Sequence, residues 1–278
     1  MDIIESIKGS VIQHGPHNNR IYLMRLNTDA DDTHGLIATL DDMALKNGYG
    51  KIFAKIPAPA WNAFKSADYI KEAVVPGFFR GKTDGFFISK YFSAERQKAQ
   101  NVNNLLRFVK QTREVSANNI HRTDVATRDV VSCKPSDVAK MSLIYQQVFK
   151  SYPFPINKPI YLKRMMKEGV LYFCIRIEGR ITAISAVEID LVSKNAEMTD
   201  FATLPKCRGM GFAGMLLSHM DKKTRKLEIK TVYTIARAAS HGMNSVFKNS
   251  GYNYAGLLKN NSQICGSIQS MTVWYKSI

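Results

Sequence analysis

The segment LPKCRGMGFAGMLL, residues 204–217, places two glycines between an apolar stretch and a run of helix-forming residues. The residues before it, AEMTDFAT at 196–203, have the composition of a strand. Gly209 and Gly211 have no side chains, so backbone N–H groups can approach a phosphate there, and the start of the following helix adds partial positive charge. The sequence therefore predicts a strand, a glycine-rich phosphate-binding loop and a helix.

Length and composition are those of a globular protein, because 45% of the 278 residues are hydrophobic and 22% are charged. The first ten residues lack the apolar core of a signal peptide, and no window has the ~18 apolar residues of a membrane span. We therefore expect a cytoplasmic protein with no membrane partner. The four cysteines are far apart in the sequence, which predicts neither a disulfide framework nor a metal site.

The formal charge of +16 is concentrated in the second part of the chain. Residues 1–125 hold 17 basic and 13 acidic residues, whereas residues 126–278 hold 22 and 10. A basic surface favours anionic partners, either a polyphosphate cofactor or a nucleic acid. Because no zinc-finger, RNP or KH signature accompanies the basic run KKTRK at 222–226, nucleic-acid binding is kept only as the non-enzymatic alternative.

The order of elements predicts an α/β fold with a mixed sheet, in two domains, 1–125 and 126–278. In the first domain we expect strands at 20–26 and 50–56, helices at 31–47 and 59–66, an extended segment to residue 92, and one helix with a linker within 93–127. In the second we expect a strand and helix from residue 130, a hairpin at 171–190, a strand at 196–203, a helix at 210–226, a strand from 231, a helix at 240–250 and two final strands.

The second domain, over residues 128–278, resembles the GNAT acetyltransferases. The signature loop of that family is Arg/Gln-x-x-Gly-x-Gly/Ala, and residues 208–213 read RGMGFA. The hairpin before the loop and the segment KNSGY at 248–252 belong to the same resemblance. It implies a GNAT fold and acetyl-CoA as the co-substrate. The loop is not the GxGxxG of dinucleotide-binding folds, which excludes NAD.

The resemblance also implies how acetyl-CoA binds. In such enzymes the strand before the loop diverges from its neighbour, its free backbone groups bind pantetheine, and a backbone N–H stabilises the oxyanion of the tetrahedral intermediate. The acetyl-CoA-binding residues implied in this chain are Phe201, Ala202, Thr203, Arg208, Gly209, Met210, Gly211, Phe212, Ala213, Asn244 and Phe247.

Acidic residues near the loop are candidates for catalysis and substrate binding. Glu197 matches the position from which several family members supply a carboxylate base, and a surface acid at a strand end is the alternative interpretation. Asp200 is expected on the opposite face of a regular strand. Glu188 and Asp190 share one face of the preceding strand. These last three acids could bind a cationic substrate.

The tyrosine that such enzymes usually have near the thiol aligns with Phe247, which cannot donate a proton, so the general acid must be another residue. Tyr252 is the candidate to replace it. Core packing of Tyr252 after Gly251 is the alternative interpretation.

The first domain carries a narrower resemblance. The segments IQHGPHNNRIYLMRL (12–26), KIFAKIPAPAWNAF (51–64) and PGFFRGKTDGFFISKYF (76–92) look like the β-lysine N6-acetyltransferases. This implies acetylation of the side-chain amine of (3S)-3,6-diaminohexanoate, a small cationic amine, to give a zwitterionic compatible solute used in osmotic stress. The substrate carboxylate would then need a basic partner, for which Arg80 and Arg237 are candidates. Another small amine or a protein lysine remains an alternative substrate, and oligomeric state, a homodimer included, is left open.

The two domains also resemble each other. Residues 51–81 align with residues 231–260, with Trp61 and Asn62 matched to Met243 and Asn244. We therefore expect the first domain to be a degenerate half of the acetyltransferase fold that lacks the glycine-rich loop. Chance similarity between amphipathic segments is the alternative interpretation.

Overall fold

The computed structural model describes residues 2–28, 32–98 and 129–278. The strands are β1 Ile3–Ile7, β2 Ser10–Gly15, β3 Arg20–Arg25, β4 Lys51–Pro57, β5 Ile70–Phe79, β6 Thr83–Tyr91, β7 Val130–Ser132, β8 Leu171–Ile177, β9 Arg180–Asp190, β10 Asn195–Thr203, β11 Thr231–Arg237, β12 Asn253–Ile264 and β13 Ser267–Ser277. The helices are α1 Thr33–Asn47, α2 Trp61–Lys65, α3 Ala94–Gln97, α4 Val138–Val148, α5 Pro159–Lys167, α6 Phe212–Lys226 and α7 His241–Asn249.

The sequence predicted most of these elements within a few residues. It gave no expectation for the hairpin β1–β2, and the segment expected to be extended up to residue 92 is a hairpin of β5 and β6. Only α3 is described within the polar stretch 93–127. The rest of that stretch and the predicted domain boundary between 125 and 126 lie outside the described residues.

All of these strands belong to one mixed sheet, in the order β1-β2-β3-β4-β6-β5-β12-β13-β11-β10-β9-β8-β7. The strands from β1 to β6 and those from β8 to β13 follow the same order and the same directions. Each set contains one parallel pair, β3 with β4 and β10 with β11, and the two sets meet where β5 pairs with β12. We call these sets the first and second halves of the sheet.

The helices also lie at corresponding places in the two halves of the sheet. The helix α1 connects the parallel strands of the first half and α6 those of the second, while α2 and α7 follow at matching places. Residues 50–75 thus form strand, helix and strand, as the internal alignment requires. This agreement supports the hypothesis that the first half is a degenerate copy of the second.

Each long helix packs its apolar side on its own half of the sheet. The helix α1 buries Leu36, Ile37 and Leu40 against the first half, and α6 buries Leu216 and Met220 against the second. Burial of such side chains contributes about 1.5–3 kcal/mol each. Their helical spacing explains why both helices were predictable from the sequence. Within the described residues, no helix is long and apolar enough to cross a membrane.

The junction of the halves is close-packed and contains a buried ion pair. A side chain at Gly256 of β12 would collide with the carbonyl of Glu72 on β5. The Nζ of Lys51 donates to Glu72 Oε2 at 2.8 Å and to the carbonyl of Lys259 at 2.7 Å, and the N–H of Lys259 donates to Glu72 Oε1 at 2.9 Å. Strands of both halves therefore share these polar partners.

On the opposite side of the sheet from α1, aromatic side chains of the two halves share a core. The ring of Phe78 is 4.9 Å from that of Tyr233, and Tyr22 packs on Phe53 in the same cluster. The sheet is therefore curved enough for β3 and β4 to approach β10 and β11. This approach brings side chains from both halves to one cavity.

Candidate active site

The parallel strands β10 and β11 diverge beyond a short region of contact. Their pairing ends at Glu197 and Tyr233, yet β10 continues to Thr203, paired with β9 along its other edge. From Met198 onward, the edge of β10 that faces β11 has no strand partner in the described part of the chain. Extended ligands rich in amides bind such an edge through main-chain hydrogen bonds.

The glycine-rich loop leads into α6 with its backbone N–H groups open. Gly209 has φ 82° and Gly211, which precedes the first residue of the helix, has φ 76°. A Cβ at either glycine would meet nothing within 4 Å, so the requirement for glycine is conformational. No side chain caps the helix. Its first N–H groups and its dipole are therefore available to an anion.

A cavity of about 830 Å³ extends from this loop to the aromatic core between the two halves. It brings together most of the residues expected at the site. Those that line it are Glu188, Glu197, Asp200, Phe201, Thr203, Arg208, Gly209, Gly211, Phe212, Ala213 and Phe247. The first half contributes five residues to the same wall, namely Arg20, Tyr22, Met24, Phe53 and Lys55.

Three carboxylates face this cavity. Glu188 of β9 and Glu197 of β10 are direct cross-strand partners, so they share a face of the sheet. Asp200 lies in a β-bulge with φ 55°. The expectation that Asp200 faces away from Glu197 is wrong, because the bulge interrupts the alternation of the strand.

The surrounding protein raises the pKa of each carboxyl. Burial raises the pKa of Asp200 to about 6, helped by the charge of Glu197, although the hydroxyl of Tyr152 donates to its Oδ1 at 2.7 Å. Burial raises the pKa of Glu197, and burial with the charges of Glu197 and Asp200 raises that of Glu188. The side chain of Glu188 is exposed to the cavity, so the enclosing walls cause its shift. A cation in the cavity would stabilise all three charged forms.

A lysine of the first half approaches the carboxylates. Lys55 Nζ donates to the hydroxyl of Tyr233 at 2.9 Å and also bonds the hydroxyl of Tyr22. The hydroxyl of Tyr233 and the N–H of Ile235 are donors that lower the pKa of Glu197. The charge of Lys55 and these two donors oppose the effect of burial on the pKa of Glu197. The network therefore orients the Glu197 carboxylate and favours its charged form.

Some predicted residues lie outside the cavity wall. The carboxylate of Asp190 accepts from the N–H groups of Val192 and Ser193 in the turn that follows β9. The Tyr252 hydroxyl is buried and donates to Asp221 at 2.7 Å. Both side chains have structural partners that hold them away from the carboxylates that line the cavity.

Three predicted cofactor residues are also absent from the wall, namely Ala202, Met210 and Asn244. Ala202 is buried within β10. The Asn244 amide bonds the carbonyls of Arg237 and Ser240, and its oxygen accepts from the indole of Trp274 at 2.8 Å. Asn244 therefore joins α7 to β11 and β13.

The two arginines suggested for a substrate carboxylate differ in position. Arg80 lies outside the cavity wall, with its Nε donating to the carbonyl of Val192 at 2.9 Å. Arg237 lines the cavity next to α7, and its buried Nε has no hydrogen-bond partner within residues 2–28, 32–98 and 129–278.

Sequence reasoning missed Arg20, Tyr22, Lys55 and Tyr152 of the wall, and also Tyr233, whose hydroxyl bonds Lys55. The only signal was the alternation of Arg20, Tyr22 and Met24 along β3, which puts these side chains on one face. That signal does not say which residues of the second half they meet. Lys55 and Tyr233 are 178 positions apart, and the curvature of the sheet brings them together.

Comparisons with known proteins show which family the chain is similar to. The Acetyltransferase (GNAT) family model matches residues 140–252. A β-lysine N6-acetyltransferase from Methanococcus maripaludis is 34% identical over 99% of each chain, and one from Methanosarcina mazei is 32% identical over 51% of this chain and 53% of its own. A Sinorhizobium meliloti phosphinothricin acetyltransferase structure with acetyl-CoA is 15% identical, covers 55% of this chain and 89% of its own, and has a TM-score of 0.48.

Proposed function

The chain belongs to the GNAT acetyltransferases, and on this premise we propose that it transfers the acetyl group of acetyl-CoA to the N6 amine of β-lysine. The observation that carries this proposal is the match to the M. maripaludis enzyme, which extends over both halves and thus over every residue of the cavity wall. The product loses one positive charge and is zwitterionic. We propose that it serves in the cytoplasm as a compatible solute in osmotic stress.

The free edge of β10 and the open start of α6 fit acetyl-CoA. The backbone of residues 201–203 would hold its pantetheine amides, and the N–H groups of residues 209–213 would hold its pyrophosphate, with the Arg208 side chain nearby. When bound there, acetyl-CoA supplies the acetyl group as a thioester. Phe247 packs edge-on against Phe201, with ring centroids 5.6 Å apart, and gives this end of the cavity an apolar wall.

The carboxylates fit an ammonium group. Glu188, Glu197 and Asp200 crowd one part of the cavity, and their raised pKa values reflect enclosure and, for Glu188 and Asp200, mutual repulsion. A dication relieves that repulsion, so these acids attract the two amines of β-lysine. The amine that lies next to Glu197 is the one to be acetylated.

Glu197 has the properties of the base. An alkyl amine with a pKa near 10.4 is neutral in only about one molecule in 2,500 at pH 7, so its proton must be removed for attack. Glu197 accepts this proton directly or through water while the nitrogen forms its bond to the acetyl carbon. Backbone N–H groups at the divergence of β10 and β11 can stabilise the oxyanion.

The leaving sulfur needs little help in this proposal. Thiols have pKa values near 8.5, so a thiolate is stable enough to leave near neutral pH without a dedicated acid. The phenylalanine at position 247 is therefore compatible with acetyl transfer. No role in proton transfer is assigned to Tyr252, whose hydroxyl already bonds Asp221.

A screen of amines tests the proposed function. The purified chain and acetyl-CoA are mixed with β-lysine, α-lysine, spermidine or a lysine-containing peptide, and thiol release and product mass are followed. We expect saturable thiol release and a monoacetylated product with β-lysine. Release that is faster with spermidine or with the peptide contradicts β-lysine as the substrate, whereas binding of nucleic acid without thiol release would favour the non-enzymatic alternative.

A further inference from the structure

Arg20, the first residue of β3, is a buried cation in the cavity wall. Its side chain is 3% exposed, and its Nη1 donates to the carbonyl of Asn261 and to Ser262 Oγ at 3.0 Å. Its Nε is buried and has no hydrogen-bond partner among the residues that the structure describes. Within the part of the chain that the structure describes, Arg20 forms no ion pair.

Such an arginine is unusual, because buried charges are normally paired with an opposite charge. Burial lowers the pKa of Arg20 to about 10; the attraction of Tyr22 opposes this shift, the neighbouring charge of Arg96 adds to it, and Asp2 opposes it weakly. The guanidinium carbon lies 5.1 Å from the ring centre of Tyr22 and 5.7 Å from that of Phe53. These aromatic contacts support the cation but do not satisfy its N–H donors.

The position of Arg20 relative to the acids matches an elongated amino acid. Arg20 and Tyr22 lie on one face of β3, ~7 Å apart along the strand. Tyr22 contacts Lys55, whose Nζ is 2.9 Å from the Tyr233 hydroxyl beside Glu197. The cavity is therefore positive at the Arg20 end and negative around Glu188, Glu197 and Asp200.

The planar guanidinium presents donors that suit a carboxylate. We propose that Arg20 binds the carboxylate of the amine substrate, so that the first half of the sheet selects an amino acid over a simple diamine. This inference rests on the proposed function and adds the group that recognises the end of the substrate opposite the reacting amine. It also assigns a binding role to the half that lacks the glycine-rich loop.

Two substrates that differ only in the carboxylate provide the test. They are β-lysine and 1,4-diaminopentane, in which hydrogen replaces the carboxylate. Because Arg20 would form a charge-assisted hydrogen bond with the carboxylate, we expect kcat/KM of the wild-type protein to be about 10- to 100-fold higher for β-lysine than for 1,4-diaminopentane. In Arg20→Gln this preference should fall to about 3-fold or less, while kcat/KM for 1,4-diaminopentane stays within about 3-fold of wild type.

Arg237→Gln is the matched variant, since Arg237 is the other arginine of the cavity wall with a buried, unpartnered Nε. It should change kcat/KM for the two substrates by the same factor. Arg20→Lys keeps the charge but not the fork of donors, so it should retain part of the preference. Acetyl-CoA affinity and thermal unfolding are measured for each variant as controls. If Arg20→Gln does not fold, the inference is tested by the ratio of kcat/KM for β-lysine to that for 1,4-diaminopentane in Arg20→Lys and in the wild-type protein.

An equal loss of kcat/KM for both substrates in Arg20→Gln would show that Arg20 supports packing, and it would overturn the inference. Equal kcat/KM for the two substrates in the wild-type protein would overturn it as well. Failure of the proposed function looks different. In that case the wild-type protein acetylates α-lysine but not β-lysine, and the same comparison is made between α-lysine and 1,5-diaminopentane.

Discussion

The starts of α1 and α6 show how two halves with the same strand order differ in function. In the first half, Asp32 caps α1 by accepting from the N–H of Gly35 at 2.6 Å, and Lys8 pairs with the same carboxylate. In the second half, Gly211 precedes α6 and contributes no side chain. A carboxylate thus occupies in one half the position that remains open to a phosphate in the other.

The strands before these helices also differ. The pairing of β3 with β4 extends over four residues, to Leu23 and Ala54, whereas that of β10 with β11 ends after three and leaves most of β10 with a free edge. The first half has the same strand order but lacks the free strand edge and the open helix start that fit a cofactor. It retains a face that carries Arg20, Tyr22 and Lys55 into the shared cavity. In the proposed function, the second half therefore binds the acetyl donor, and the first half shapes the site for the acceptor.

The largest expected effect is on the base. Glu197→Gln preserves size but removes the proton acceptor, so kcat at pH 7 should fall by about 10²- to 10⁴-fold, and activity should partly recover as pH rises and more amine is neutral. Acetyl-CoA affinity should change little. The control is Glu178→Gln, in the exposed turn between β8 and β9, which should behave as wild type. If Glu197→Gln raises KM and leaves kcat nearly intact, Glu197 only binds the amine and the catalytic assignment is wrong.

Gly211→Val tests the difference between the helix starts. A branched side chain at φ 76° is strained and should displace the first N–H groups of α6, which we expect to weaken acetyl-CoA binding by about 10-fold or more for every amine. Gly48→Val is matched, because Gly48 has φ 67°, ends α1 and has the same open surroundings. Both variants should lose stability, but only Gly211→Val should lose affinity in calorimetry. Equal acetyl-CoA affinities in Gly211→Val and in the wild-type protein would mean that the loop is only a turn.

Lys55→Met tests the contribution of the first half to catalysis. The charge of Lys55 lowers the pKa of Glu197 against the effect of burial, so its removal should raise that pKa. The base is then protonated up to a higher pH, and the acid limb of the kcat profile should move to higher pH. Lys71→Met, which removes a lysine that packs on Trp61 and Phe86, is the control. An unmoved acid limb in Lys55→Met would contradict the coupling of the two halves.

The smallest effect on activity is expected for Tyr252→Phe. The lost hydroxyl donates to buried Asp221, which keeps Lys276 as a partner at 2.8 Å, so the variant should lose about 1–3 kcal/mol of stability. Its kcat should remain within about 3-fold of wild type, since no proton transfer depends on it. A drop of tenfold or more in a folded variant would restore Tyr252 as the general acid.

The sequence predicted the strands of the second half and the glycine-rich loop before α6 well, because both depend on local signals. A run of helix-forming residues predicted α6, and Gly209 and Gly211 predicted a loop with open backbone groups. The position of Asp200 was predicted wrongly, because a bulge is a local break in pairing that strict alternation cannot show. The contact of Lys55 with Tyr233 depends on the curvature of the whole sheet, and no segment of sequence carries that information.

The most direct measurement of the central claim compares kcat/KM for β-lysine and α-lysine with the wild-type protein, and locates the acetyl group by NMR. A cavity that pairs a polar group with each amine and with the carboxylate should prefer β-lysine by about 5- to 150-fold, because an amine displaced by one carbon leaves its partner unmatched. The product should carry the acetyl group on N6. Equal kcat/KM for the two lysines, or acetylation of the amine at carbon 3, would contradict the account.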